Sequence, residues 1–358
     1  MERRLIGRNR SSGSVVASLA VLAVLATACG GGASPEAKAT GPVHLNVAGA
    51  PIVPRAGIDI AIDRGYFAEE DLEIKLVEIQ SGPEQMPLLA SGQVDATITG
   101  PASTQFNALA AGIPVKYVAP CGSSSADGTV PNLILNVRQE LFDKGQVKSV
   151  KDLRGLKLGL SNTESKAYVD AVALLKSGGL SIDDVEVVAP LTFPEQAAGL
   201  ASGAIDAGLT IEPFATLSAE KKEAVVIGGD NDIMPLRLGC ALMYGARLIN
   251  DKALGDRFMR AYLRGVRDYN DAIFHDKGKA EMVEMMTSLY PVKDAAMYDK
   301  MLPNYIDPDG QMNPESLELD LSVYVEKGHM KPGAKLGDIL NTTYVEDAVQ
   351  KLGPYKAP

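Results

Sequence analysis

Residues 83–96 read P-E-Q-M-P-L-L-A-S-G-Q-V-D-A, and residues 194–207 read P-E-Q-A-A-G-L-A-S-G-A-I-D-A. Nine of the fourteen positions are identical at a constant offset of 111 residues. A repeat this long that occurs only once excludes a solenoid, in which units of roughly 20–50 residues stack in series. The duplication therefore predicts two similar lobes.

The order of elements around each copy indicates the fold class. In each copy a proline opens a short helix and a glycine closes it before a short apolar strand begins. The surrounding pattern alternates strand and helix, which is typical of a parallel sheet with helices on both faces. A lone strand at 241–245 is then followed only by helices, so the chain must return to the first lobe. We predict an α/β fold of two doubly wound lobes joined by a two-crossing hinge.

The chain divides into four parts by composition and pattern. Residues 1–28, with a basic start and an uncharged apolar stretch too short to span a bilayer comfortably, are predicted to be a signal peptide. Residues 29–42 have the Gly/Ala-rich composition of a flexible tether. Residues 43–138 together with 236–355 are predicted to form lobe 1, and residues 139–235 lobe 2. The two hinge crossings are expected near 137–147 and 232–237.

The three cysteines have different expected fates. The sequence L-A-T-A-C ending at Cys29 resembles a bacterial lipobox, which predicts a lipid anchor at Cys29; simple cleavage near Ala28 is the alternative. Outside the cytoplasm Cys121 and Cys240 can form a disulfide, and two buried free thiols are the other interpretation. The formal net charge is −10 and no basic run exceeds two residues, which argues against a nucleic-acid-binding surface.

The ligand site is expected where parallel strands end. In open α/β sheets, loops at the carboxyl ends of the strands supply backbone N–H groups and helix N-termini to the ligand. The candidate ligand-binding residues are Arg55, Gln80, Gly100, Pro101, Ala102 and Ser103 in the first lobe, and Ser161, Asn162, Thr163, Glu164, Phe193, Glu212 and Phe214 in the second.

Several of these residues also have a purely structural interpretation. Ser161 and Glu164 form the S-x-x-E pattern of a capping box for a helix that starts at residue 162. Arg55 can clamp a carboxylate or sulfonate in bidentate fashion, or it can be a solvated loop arginine. Glu212 can accept from an amine or a heteroaromatic N–H, or it can cap the helix that follows. The rings of Phe193 and Phe214 can stack on a ligand or pack in the core.

Sequence patterns of catalysis are scarce. His44, His275 and His329 have no metal-ligand spacing, and we find no G-x-S-x-G elbow, zinc ligand set or G-x-G-x-x-G turn. We therefore predict a protein that is not an enzyme and that uses no cofactor and no metal.

A combination of motifs resembles a known family. The lipobox and tether, A-I-D-R-G-Y-F-A-E-E-D-L-E-I at 61–74, V-K-D-L-R-G-L-K-L-G-L at 150–160, both copies of the repeat and I-E-P-F at 211–214 resemble the solute-binding lipoproteins of ABC importers. The nearest group is the nitrate/sulfonate/taurine and thiamine-precursor type. In sulfonate binders an aromatic residue often stands where this chain has Ile211, and the chain has no tryptophan, which argues against a sulfonate ligand.

The resemblance carries expectations about structure and role. It implies a type II periplasmic-binding-protein fold in a monomer that is anchored through Cys29 to the outer face of the cell membrane. Such a protein closes on a small-molecule solute and delivers it to an ABC permease. A pyrimidine-precursor synthase-like enzyme on the same fold is the alternative, although the cysteine-rich motif and reactive histidine of those synthases are not recognisable. A structural or signalling lipoprotein with an empty cleft is a third hypothesis.

Overall fold

The structure, a computed structural model, describes residues 41–79, 82–330, 333 and 335–358. The predicted signal peptide, most of the predicted tether with Cys29, and the candidate residue Gln80 lie outside the described residues. Among the described helices, none is both long enough and apolar enough to cross a membrane.

The described chain contains two five-stranded sheets. Its strands are β1 (Val43–Ala48), β2 (Leu72–Val77), β3 (Ala96–Thr99), β4 (Lys116–Ser123), β5 (Ile134–Arg138), β6 (Lys157–Gly159), β7 (Glu186–Val188), β8 (Ala207–Thr210), β9 (Ala224–Gly229) and β10 (Leu238–Tyr244). The strand order is β2-β1-β3-β10-β4 in the first sheet and β7-β6-β8-β5-β9 in the second. In each sheet one strand, β10 or β5, runs opposite to the other four. The predicted α/β fold of two lobes is confirmed.

Helices cover both sheets. They are α1 (Ala56–Asp63), α2 (Tyr66–Glu69), α3 (Gly82–Ala90), α4 (Ser103–Ala110), α5 (Gln139–Asp143), α6 (Lys166–Ser177), α7 (Phe193–Ser202), α8 (Phe214–Glu220), α9 (Ala246–Asn250), α10 (Lys252–His275), α11 (Lys279–Leu289), α12 (Pro314–Glu326), α13 (Leu336–Ile339) and α14 (Thr343–Leu352). Helix α10 packs its apolar face, which includes Phe258 and Tyr262, into the core of the first lobe. Its close contact with α1 requires glycine, because a Cβ on Gly265 would lie 2.1 Å from the carbonyl oxygen of Gly57.

The duplication extends well beyond the fourteen repeated residues. Strands β3 and β8, helices α3 and α7, and the first residues of α4 and α8 are each related by the same offset of 111. In the first lobe the carboxylate of Asp95 accepts from the N–H of Asn46 at 2.8 Å, and in the second Asp206 accepts from Lys157 at 3.0 Å. The Asp that both copies of the repeat share therefore accepts the same hydrogen bond, from the first parallel strand of its lobe, in both lobes.

The boundary predicted at residue 138 is wrong. Strand β5 belongs to the second sheet, where it pairs with β8 and β9. The first crossing therefore lies at 124–133, ahead of the predicted 137–147. Strand β5 lies between β8 and β9, in the same position that β10 has between β3 and β4 in lobe 1. Lobe 2 therefore begins with this antiparallel strand. The second crossing, between β9 and β10, includes the predicted residues 232–237.

Two cysteines join the edge strand β4 of the first sheet to its neighbour β10. Cys121 on β4 and Cys240 on β10 lie on adjacent antiparallel strands with their Cα atoms 5.2 Å apart, and they form a disulfide. Of the two interpretations of these cysteines, the structure contains the disulfide.

Candidate functional site

Four loops at the carboxyl ends of parallel strands lie between the lobes. They form two contacts, to which we give names. The paired junction is the contact of residues 100–104 with residues 161–166, after β3 and β6. The open junction is the space between residues 50–55 and 211–217, after β1 and β8.

The paired junction is closed by backbone hydrogen bonds. The N–H of Ser103 donates to the carbonyl of Glu164 at 3.1 Å, and the N–H of Lys166 donates to the carbonyl of Pro101 at 3.0 Å. Ala102 and Ser165 lie opposite each other in this antiparallel bridge. The structure thus brings the candidates at 100–103 and 161–164 together, with part of their backbone hydrogen-bonding capacity used across the junction.

The capping box predicted for Ser161 and Glu164 is wrong. Helix α6 begins at Lys166. The side chain of Asn162 accepts from the N–H of Glu164 at 2.8 Å, and the hydroxyls of Ser161 and Ser165 bond each other at 3.0 Å. These local bonds make a turn instead of a first helical turn, as Asn and Ser side chains often do. Thr163 and Glu164 consequently lie exposed on that turn.

The open junction holds a cavity of about 270 Å³. Residues from both lobes and from a third segment, 290–301, line it. The lining from the loops comprises Ile52, Val53, Pro213, Phe214 and Leu217. A cavity of this size is close to the lower end of the roughly 300–1,000 Å³ range of small-molecule sites.

The two junctions are equivalent by the duplication. Subtracting 111 maps Ser165 onto Pro54, and adding 111 maps Ala102 onto Pro213. Ala102 is extended, with φ −148°, and Ser165 has φ −100°. A proline ring fixes φ near −65° and therefore cannot adopt the backbone of Ala102. Pro213 instead has φ −86° and ψ −1°, so the bridge of the paired junction has no counterpart at the open one.

Arg55 is neither solvated nor free to clamp a ligand. Its side chain is 2% exposed, and its Nε donates to both carboxylate oxygens of Asp59 at 3.0 Å. Asp59 also accepts from the hydroxyl of Tyr290 at 2.6 Å. Burial raises the pKa of Asp59 above its ordinary value, although Arg55 and Tyr290 oppose this shift. The charge of Arg55 is therefore compensated by a buried carboxylate, and neither residue lines the cavity.

Glu212 caps a helix and holds the third segment. Its carboxylate accepts from the hydroxyl of Thr216 at 2.8 Å and from the N–H of Thr216 at 3.2 Å, within the first turn of α8. It also accepts from the N–H of Leu302 at 3.1 Å. Burial raises the pKa of the Glu212 carboxyl, and these hydrogen bonds oppose the shift. Of the two roles foreseen for Glu212, the structure contains the cap.

The two candidate phenylalanines contact each other. The ring centroids of Phe193 and Phe214 are 6.4 Å apart, with 25° between the ring planes. Phe193 packs against the core of the second lobe, whereas Phe214 lines the cavity. Phe193 therefore supports the ring that a ligand would contact.

Sequence reasoning missed the third wall of the cavity. Residues 290–301 include Tyr290, Met297 and Tyr298 of this lining, and they follow α11, far from any strand end. The segment lies outside the duplicated region, so neither the repeat nor the strand-end rule identifies it. The one local signal is the sequence Tyr-Pro at 290–291, which ends α11 and turns the chain.

A buried ion cluster lies beside the paired junction. Lys166 donates to Asp230 at 2.9 Å and also pairs with Asp170. Arg237, in the second crossing, donates to Asp170 at 2.8 Å and to Asp320 on α12 at 3.1 Å. Burial raises the pKa values of Asp230 and Asp320. The cluster thus joins α6, the hinge and α12 in the interior.

The described residues contain little that is suited to metal chemistry. No group of three or more His, Cys, Asp or Glu residues within them is arranged to hold a metal ion. His44 is exposed beside Glu73, and the ring of His329 lies 5.3 Å from that of Tyr168, so neither histidine lines the cavity.

The fold is the periplasmic-binding-protein fold, which this chain shares with solved structures of ABC-type solute-binding proteins. One neighbour with this fold is the ligand-binding component of an ABC-type import system from Staphylococcus aureus, solved with zinc bound. It has a TM-score of 0.67 and 15% identity, and the match covers 86% of this chain and 99% of that one. Identity this low establishes the fold alone.

The family is established by sequence. A model described as NMT1/THI5 like matches residues 55–272, and the chain belongs to that family. A putative aliphatic sulfonates-binding protein of Bacillus subtilis (strain 168) is 29% identical over 61% of this chain and 62% of its own length. A 4-amino-5-hydroxymethyl-2-methylpyrimidine phosphate synthase of Saccharomyces cerevisiae is 27% identical over 62% of this chain and 64% of its own. The chain thus spans less than two thirds of each of these two relatives.

Proposed function

We propose that this protein is the extracytoplasmic solute-binding component of an ABC importer. It captures a small molecule in the open junction and delivers it to a permease. The observation that carries the proposal is the cavity between strand ends of two duplicated lobes, lined from both. The lipobox-like sequence ending at Cys29 supports attachment to the outer face of the cell membrane, and we propose that the protein acts as a monomer.

The contacts between the lobes suit a trap that opens and closes. The paired junction uses two backbone hydrogen bonds, and Glu212 adds a third bond from the second lobe to residue 302. The lobes are also joined by the ion pair of Lys300 with Glu220 and by the buried ion cluster between α6 and α12. Separating the lobes disturbs these interactions while the sheets stay intact, and the two crossings absorb the change in dihedral angles. A solute that contacts both lobes stabilises the closed state because it binds that state better.

An enzyme on the same fold is the second candidate, because the family includes phosphate synthases of a pyrimidine. The cavity wall argues against catalysis. Its titratable residues are Tyr290, Lys293, Asp294 and Tyr298, with no histidine or cysteine among them. We therefore propose that the protein returns its ligand unchanged.

Native mass spectrometry of the purified full chain tests the proposal. We expect a small molecule that leaves with unchanged mass when the protein unfolds. Leu217→Trp, which fills the cavity, should abolish co-purification, whereas Val226→Trp at an exposed site on β9 should not. Conversion of the bound compound into a product of different mass would support the enzyme instead. A protein that is empty and shows no thermal shift with any solute would refute both.

A further inference from the structure

The two cations at the starts of the first helices are equivalent by the duplication, and neither is free. Arg55 pairs with Asp59, and 111 residues later Lys166 pairs with Asp170; both pairs have i, i+4 spacing and are buried. An anionic ligand would need to compete with an internal carboxylate for either cation. These loops therefore supply no uncompensated positive charge to the cleft.

The tyrosine hydroxyls at the cavity wall are also engaged. The hydroxyl of Tyr290 donates to Asp59 at 2.6 Å, and that of Tyr298 donates to the carbonyl of Val292 at 3.3 Å. Each hydroxyl has only one proton to donate. Neither is available as a donor to a ligand unless an internal bond breaks.

The two charged residues of the wall serve the ends of helices. The ammonium of Lys293 donates to the carbonyls of Thr287 and Ser288 at 2.9 and 3.1 Å, at the C-terminus of α11, where a cation is favourable. The carboxylate of Asp294 accepts from the N–H of Ala296 at 3.0 Å and caps a 3-10 helix at Ala295–Asp299. Both charges therefore have structural partners.

What remains is an apolar wall. This wall is formed by Ile52 and Val53 from one lobe, Phe214 and Leu217 from the other, and Met297 from the third segment. Burying a charged group in such a place without a partner costs far more than burying an apolar one. Methionine and aromatic side chains adapt to flat apolar surfaces.

We infer that the ligand of the open junction is an uncharged, mainly apolar small molecule and is not an oxyanion. This inference rests on the proposed function, because it specifies the solute that the cleft takes. The ligand is limited to a small size by the cavity of about 270 Å³. Its binding comes from apolar surface buried between the lobes, with few directed hydrogen bonds.

Matched pairs of probes that have nearly the same size and shape and differ in charge test the inference. Benzenesulfonamide is compared with benzenesulfonate and benzamide with benzoate, by calorimetric titration of the full chain at pH 7. We expect the neutral member of each pair to bind at least about tenfold more tightly, because only the anion enters the cavity without a partner.

A charge placed in the wall should reverse the preference. Leu217→Arg adds a guanidinium to the apolar part of the wall, so benzenesulfonate should then bind more tightly than benzenesulfonamide. Leu217→Met keeps the wall apolar and should keep the original order. Val226→Arg adds the same charge at an exposed site on β9 and serves as the control for net charge.

The outcomes separate the two proposals. If the anion of each pair binds as well as or better than its neutral partner in the unmodified protein, the ligand class is wrong and the proposed function stands. If no probe binds and native mass spectrometry finds no bound molecule, the proposed function fails, and this inference fails with it.

Discussion

The paired and open junctions are formed by equivalent loops of the two duplicated lobes. The paired junction is closed by a backbone bridge, whereas the open junction contains a cavity. At the paired junction Ala102 and Ser165 form an extended bridge that ties the lobes together. At the equivalent positions the open junction has Pro213 and Pro54, and a cavity lies there instead. Because proline excludes the extended φ of Ala102, two residues are sufficient to explain why one contact closes and the other leaves space.

The first helices of the lobes differ in a similar way. In lobe 1, Arg55 and Asp59 form a pair that also involves Tyr290. In lobe 2, the equivalent Lys166 and Asp170 belong to a larger cluster that includes Arg237 from the hinge. The paired junction therefore lies beside this ion cluster, whereas the cavity of the open junction lies beside the pair of Arg55 and Asp59.

The largest expected effect comes from removing Arg237 from the buried ion cluster. Arg237→Met leaves Asp170 and Asp320 buried without their shared cation, and we expect the free energy of unfolding to fall by about 3–5 kcal/mol. Arg55→Met is the matched variant in lobe 1. It should cost less, because only one carboxylate loses its cation and Asp59 keeps its bond from Tyr290.

Urea unfolding followed by circular dichroism measures both losses, since the chain has no tryptophan. Equal losses for the two variants would show that the hinge cluster is no stronger an anchor than the isolated pair. A larger loss for Arg55→Met would reverse the comparison between the lobes.

A smaller effect is expected from giving the paired junction the residue of the open one. Ala102→Pro forces a φ that the bridge does not allow, and we expect a loss of about 1–3 kcal/mol, in the range of local backbone strain. The lobes should also separate more often, which small-angle scattering would detect as a larger radius of gyration. Ala102→Ser, which can remain extended, is the control. An unchanged radius for Ala102→Pro would mean that the bridge does not hold the lobes together.

The sequence predicted the lobes, the sheets and the strand-end loops because these depend on local patterns and on the repeat. It did not predict the state of Arg55, because the partner Asp59 follows one helical turn later and the third member, Tyr290, is 231 residues further along the chain. Strand β5 was missed for a related reason. Its neighbours β8 and β9 come much later in the sequence, so only the assembled sheet shows where it belongs.

The smallest expected effect concerns the third wall of the cavity at the open junction. The third segment, 290–301, has no counterpart in the duplication, and the residue that follows it, Leu302, donates its N–H to Glu212. Burial raises the pKa of Glu212 above its ordinary 4.5. The Glu212 carboxyl therefore keeps its proton to a higher pH in the folded state than in the unfolded state. The contribution of Glu212 to stability is therefore greatest below pH 4.5 and falls as pH rises through the folded pKa.

Glu212→Gln removes this titration, so the stability of the unmodified protein relative to the variant should decline as pH rises above 4.5. Glu195→Gln provides a contrast of opposite sign. The pKa of Glu195 is lowered by the bond from the N–H of Thr192, so its contribution is present above pH 4.5 and is lost as pH falls through its lowered pKa. Unfolding free energies measured from pH 3 to pH 7 compare the two. If the relative stability of the unmodified protein rose with pH against Glu212→Gln, the hydrogen bonds from Thr216 and Leu302 would outweigh desolvation at this carboxyl, and its pKa would be lowered instead of raised.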